Sequence, residues 1–161
     1  MRKLLPTLAL LGALVLAPSM AQAQTESTAA TATVTVQEYL SISIDEETIE
    51  FGTVNSPGTY SPTVGSPALV SHAGNVTYSV FLRADDATWT GGTDTKPASD
   101  LEFNQDAGSW VELTDTDYAL RSAIQPGSYP DDISLDWQLT INETDETGSY
   151  SLPMTISAVV D

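Results

Sequence analysis

Between positions 133 and 142 the chain alternates without a break. Ile133, Leu135, Trp137, Leu139 and Ile141 are interleaved with Ser134, Asp136, Gln138, Thr140 and Asn142. A period of two sends one set to each face of an extended strand, so the segment can bury one side and wet the other. A helix, with its period of 3.6, would scatter the same residues around its circumference. The alternation therefore predicts a β-strand with Trp137 in a core, and it commits the chain to building a sheet.

The rest of the chain obeys the same rule. Tyr150, Leu152, Met154, Ile156, Ala158 and Val160 alternate after a Gly148-Ser149 turn. With the first strand they read as an antiparallel hairpin around residues 143–148. Val76, Tyr78, Val80 and Leu82 predict a third strand after Gly74-Asn75, and Leu69-Val70 a shorter neighbour ending near His72. Ile49, Phe51 and Val54 suggest a further strand in which Gly52 breaks the phase as a bulge. Residues 101–103, 110–113 and 118–120 look like short or edge strands, and the polar, glycine-rich stretch 84–100 like a long exposed loop. No window supports a long amphipathic helix, and Pro57-Gly58, Pro62, Pro97 and Pro126-Gly127 punctuate the remainder into turns. Short strands without intervening helices predict an all-β fold: a single immunoglobulin-like antiparallel β-sandwich with Greek-key connections. A barrel is the alternative.

The N-terminus sets the compartment. Arg2 and Lys3 precede an apolar run over residues 4–16, and Ala21-Gln22-Ala23 offers a small-x-small cleavage site. Residues 1–23 thus read as a secretory signal peptide, residues 24–31 as a flexible polar segment and residues 32–161 as the domain. The apolar run is shorter than the roughly 20 residues of a spanning helix. After cleavage no membrane association is expected, and the chain should be secreted, extracellular or at the cell surface. There is no cysteine, so no disulfide forms where one would persist. With 22 acids against 5 bases the formal charge is -17. That balance excludes nucleic acid as a partner, because phosphate neutralisation needs a Lys/Arg footprint.

Catalysis finds no foothold in the residues. His72 is the only histidine, and no G-x-S-x-G elbow accompanies it, so a Ser-His-acid unit has no local signature. A zinc site would have to be filled with carboxylates. The expectation is a non-enzyme without a resident cofactor. Calcium stays open, since Asp45-Glu46-Glu47, Asp85-Asp86, Asp115-x-Asp117, Asp131-Asp132 and Asp145-Glu146 supply oxygen ligands. The plainer reading of these acids is a solvated surface. Trp89, beside Gly91-Gly92, is the candidate for an exposed ring that could stack on a glycan.

An N-terminal alternating strand, Ile49-Glu50-Phe51-Gly52-Thr53-Val54 followed by Pro57-Gly58-Thr59, and a closing strand after Thr147-Gly148-Ser149-Tyr150 together resemble a broad group of exported Ig-like surface proteins. These are biofilm-fibre and pilus subunits of the camelysin type and of the spore-coat-protein-U/fimbrial type. Trp137-Gln138-Leu139 also resembles one half of the paired motif of WxL cell-wall-binding domains. The resemblance implies a structural subunit of an extracellular fibre, pilus or surface matrix that associates with itself; a module binding cell-wall glycan is the alternative. One further pattern bears on assembly. Ala32, Val34 and Val36 keep one parity, Glu38 interrupts it, and Leu40, Ile42 and Ile44 resume it. Either residues 32–44 form one long first strand, or the part before Glu38 is a donor strand that leaves its own subunit and completes another's sheet.

Overall fold

The computed structural model describes residues 31–92, 95–128 and 131–161. The signal peptide assigned to residues 1–23 and nearly all of the polar segment 24–31 lie outside these. The chain divides into two compact units, residues 1–35 and 36–161, and every described strand belongs to the second.

Among the described residues nine strands make up the domain: β1 (Leu40–Ile44), β2 (Gly58–Tyr60), β3 (Ala68–Gly74), β4 (Tyr78–Ala84), β5 (Leu101–Gln105), β6 (Trp110–Glu112), β7 (Tyr118–Ile124), β8 (Ile133–Ile141) and β9 (Met154–Val160). The one helical turn among those residues is a 3-10 turn at Ala98–Asp100. The strands pair antiparallel throughout. The larger sheet runs β1-β3-β8-β5-β6, and the smaller runs β7-β4-β9. The expected all-β sandwich is what the chain forms. β8 is its spine: β3 pairs with the first part of the strand (Val70 opposite Ile133), β2 with the last (Tyr60 opposite Leu139), and β5 covers the other edge.

The alternation of β8 is realised residue by residue. Ile133, Leu135, Trp137 and Leu139 are buried, and the residues between them are not. Trp137 is 1% exposed and packs on Phe103 with ring centroids 6.0 Å apart. Val70 from β3, Tyr78, Val80 and Leu82 from β4 and Leu120 from β7 complete the core. Two faces of apolar side chains meeting in this way are what hold a sandwich together.

Several expectations need correction. β8 and β9 are not a hairpin: β8 lies in the larger sheet, while β9 pairs with β4 in the smaller one. Alternation alone specifies a strand and its wet face, not which neighbour it joins. β9 begins at Met154 rather than Tyr150, and β4 at Tyr78 rather than Val76. Ile49, Phe51 and Val54 are half-buried but form no strand; a single bridge joins Glu50 to Val64. Gly52 has φ of +67°, in the left-handed region, which turns the backbone out of any ladder. The first strand starts at Leu40, and residues 31–39 carry no strand assignment. Finally, 84–100 is not simply an exposed loop. Lys96 and Ala98 are buried within it, and bridges tie Thr88 to Pro97 and Thr90 to Ser151.

Candidate functional site

The sandwich has two flanks where the edge of one sheet faces the edge of the other. On the first, the chain itself crosses from β6 to β7. Along that crossing the Leu113 N–H donates to Leu101 O at 2.8 Å, and Thr114 O accepts from the Ala84 N–H at 2.8 Å. Adjacent residues thus bond to opposite sheets. Phe103 of β5 meets Tyr118 of β7 edge to face at 5.1 Å. Arg121 of β7 donates to Asp106 Oδ2 at 2.6 Å, and Asp106 Oδ1 accepts from the Ser134 N–H at 3.0 Å. Burial alone would raise the Asp106 carboxyl, but these hydrogen bonds outweigh it and hold the group below the usual carboxylate range. Leu113, Leu120 and Ile124 are buried beneath the crossing.

The second flank has no such cover among the described residues. There β1 pairs only with β3, and β9 only with β4. Leu40, Ile42 and Ile44 of β1 and Met154, Ile156 and Ala158 of β9 pack against the core, yet all are only partly buried. Val159 and Val160 are each 50% exposed. An edge strand presents unpaired N–H and C=O groups, and here the two free edges flank apolar side chains that want one more layer. What the arrangement can do is accept a strand.

Beside this flank the chain entering β1 is fastened by Asn75. Its Oδ1 accepts from the Tyr39 N–H at 2.6 Å, its Nδ2 donates to Gln37 O at 2.7 Å, and its own N–H donates to Tyr39 O at 3.0 Å. One residue in the β3–β4 turn, through its side chain and its backbone N–H, therefore does for residues 37–39 what a strand would do. N-terminal to this fastening, the three proposed donor residues Ala32, Val34 and Val36 are exposed and in no strand, Val34 at 87% and Val36 at 74%.

A second feature was invisible in the sequence. Lys96 is 2% exposed, and its ammonium group donates to Asp100 Oδ2 and Asp145 Oδ2, each at 2.6 Å, and to Thr140 O at 2.7 Å. All three donors of the group are used. Burial would raise Asp145, but Lys96 and the Asn142 N–H together keep it low. The cluster pins the β8–β9 connection to the loop before β5 and to the end of β8. Against it lies a cleft of about 410 Å³ whose walls include Phe51, Trp89 and Tyr150. Trp89 is not the exposed ring expected: it is half-buried against the core, and its Nε1 is buried without a hydrogen-bond partner among the described residues.

Some of the acids singled out for calcium make local contacts. Asp45 accepts from the Leu69 N–H and Asp85 from the Thr155 hydroxyl. Arg83 stands 3.9 Å from both Asp85 and Asp117. Among the described residues no three His, Cys, Asp or Glu side chains converge as a metal site. With Arg83, Lys96 and Arg121 all paired to acids, no base among those residues is left to offer a cationic surface. Nor is any helix among them long and apolar enough to cross a membrane. No protein-family model matches the chain, and no curated protein does either.

Proposed function

We propose that the protein is an exported, non-enzymatic structural subunit of an extracellular fibre or surface matrix, in which an N-terminal segment of one copy adds a strand to the β1–β9 flank of the next. The observation that carries the reading is the pair of edges that no described residue covers, with half-buried Leu40, Ile42, Ile44, Met154, Ile156 and Ala158 between them. The complementary piece lies in the same sequence. Residues 31–37 are uncharged and alternate small apolar side chains with threonine, so their insertion brings no charge into contact with an acidic neighbour. Full burial of a valine-sized side chain contributes about 1.5–3 kcal/mol. Val34 and Val36, with new main-chain hydrogen bonds, give such a joint a substantial driving force. Joining one copy's segment to a different surface of the next is heterologous, so it propagates into a filament unless the rotation closes a ring. Resemblance to camelysin-type and spore-coat-U/fimbrial subunits points the same way.

Removing residues 24–37 from the mature chain tests the reading. The truncated protein should stay folded, fail to assemble by light scattering and electron microscopy, and bind a synthetic peptide of residues 24–37. Filaments that still form, or global unfolding on truncation, would refute it.

The alternative is a module that binds neutral cell-wall glycan in the cleft beside Trp89. Its supports are the aromatic walls and the idle Trp89 Nε1. Pull-down on cell-wall glycan that is lost in Trp89→Ala, with assembly absent, would favour it.

A further inference from the structure

His72 stands directly behind the β1–β9 flank. It lies in β3 opposite Ile42 of β1, and it reaches across the interior to the other sheet, where Nδ1 is 2.9 Å from the Tyr78 hydroxyl oxygen. The two rings meet edge to face at 5.8 Å. Tyr78 in turn sits opposite Val160 of β9. One hydrogen bond therefore links the neighbours of both free edges.

The link is sensitive to protonation. His72 is 8% exposed, and its Nε2 has no hydrogen-bond partner among the described residues. In the neutral ring one nitrogen donates and the other accepts, so one bond to Tyr78 and one idle nitrogen is a tolerable state. The imidazolium carries a proton on both nitrogens. Its Nε2–H would then be a charged donor facing a largely apolar interior, which is costly to leave unpaired. The groups that act on the pair are Arg121 of β7 and Asp132 ahead of β8, on His72, and Tyr39 ahead of β1, on Tyr78. Burial first, and the Arg121 guanidinium second, hold the His72 imidazole below its ordinary range, with Asp132 opposing them.

We infer that His72 and Tyr78 form an acid-operated latch behind the β1–β9 flank: the neutral pair ties β3 to β4 and so holds the two sheets together there, and protonation of His72 releases that tie so that the flank parts and takes a strand from a second copy between β1 and β9. The inference rests on the reading of that flank as the acceptor. Because the folded protein disfavours the charged ring, the latch is intact above the unfolded histidine value of about 6.5 and is lost as pH falls below it.

The test uses the full mature chain at pH 7.5 and 5.5. Hydrogen-exchange protection of the β1 amides reports the latch, and fluorescence transfer between differently labelled copies reports strand exchange. Protection should fall, and exchange between copies should quicken, each by up to about tenfold, the most that one pH unit of one-proton linkage delivers. His72→Gln keeps a neutral partner for Tyr78 and should flatten both profiles; Tyr78→Phe should show fast exchange already at pH 7.5. A His72 that titrates by NMR at or above the unfolded value, or a His72→Gln protein with the wild-type pH profile, would overturn the latch. Loss of β1 protection without exchange between copies at any pH would support the latch and overturn the assembly reading.

Discussion

The two flanks of the sandwich solve the same problem differently. Both must deal with a pair of sheet edges and the apolar side chains between them. At β6 and β7 the chain crosses over, residues 113–114 bond to both sheets, and Leu113 and Leu120 end 1% and 3% exposed. At β1 and β9 no described segment crosses, and no apolar side chain of either strand is fully buried. A protein that had only to be stable would gain by closing the second flank too. The contrast teaches that stability here is concentrated in β8, β5 and the β6–β7 crossing, while β1 and β9 are left with capacity for a further strand.

The largest expected effects break the closed half. Trp137→Ala removes a ring that is 1% exposed, and cavity formation should lower stability by about 3–5 kcal/mol in chemical denaturation. Lys96→Met should cost a similar amount, about 3–5 kcal/mol, because it leaves Asp100 and Asp145 without the buried cation they share. A double variant that also replaces Asp145 by Asn should recover part of that loss.

Next comes the comparison of the flanks themselves. Leu113→Ala should destabilise the isolated subunit by about 2–5 kcal/mol. Ile156→Ala, at a half-buried position of β9, should cost less than half as much in the isolated subunit and yet weaken assembly more. Equal losses of stability for the two would show that the flanks do not differ.

Acid should act in two stages. The Asp106 and Asp145 carboxyls are held below their ordinary values, so their contribution is complete above about pH 4 and disappears as pH falls through their folded values. The His72 contribution is lost earlier, on the way down from about pH 6.5. Thermal melts from pH 7.5 to 2.5 should therefore show a shallow loss followed by a steep one, and His72→Gln should remove only the shallow part. The smallest effect concerns salt. With the described bases already paired, like-charged copies repel, and screening at 0.15 M shortens that repulsion to about 8 Å. Light scattering across a salt series should show association rising modestly and then levelling.

Parts of this contrast were legible in the sequence. β8 could be read in full because its alternation is unbroken and its wet residues are all polar. β9 could be read as a strand but not placed, since its partner β4 (Tyr78 opposite Val160, Ala84 opposite Met154) is remote in sequence and alternation carries no address. The β1–β9 flank was half legible: the stripe of Ala32, Val34 and Val36 suggests a strand without a place in its own subunit, while the incomplete burial of Ile42 and Ile156 depends on which edges end up facing each other. Lys96 was not legible at all. Asp100 lies four residues on, but Asp145 and Thr140 reach the ammonium group only through folding, and a lone lysine in a polar, glycine-rich stretch has the look of solvent-exposed chain. Trp89 misled for the same reason: its neighbours in sequence are turn residues, and its neighbours in space are core.

The absence of native cysteine permits a direct test of the central claim. Copies carrying Val34→Cys are mixed with copies carrying Ala158→Cys on β9, under mild oxidation, with Trp110→Cys on β6 as the control position. A disulfide needs Cβ atoms within about 4.5 Å, so it reports contact rather than encounter. The account predicts a cross-link between different copies for the Val34 and Ala158 pair and none for the Val34 and Trp110 pair. Equal cross-linking at both positions, or none at either while assemblies form, would contradict it.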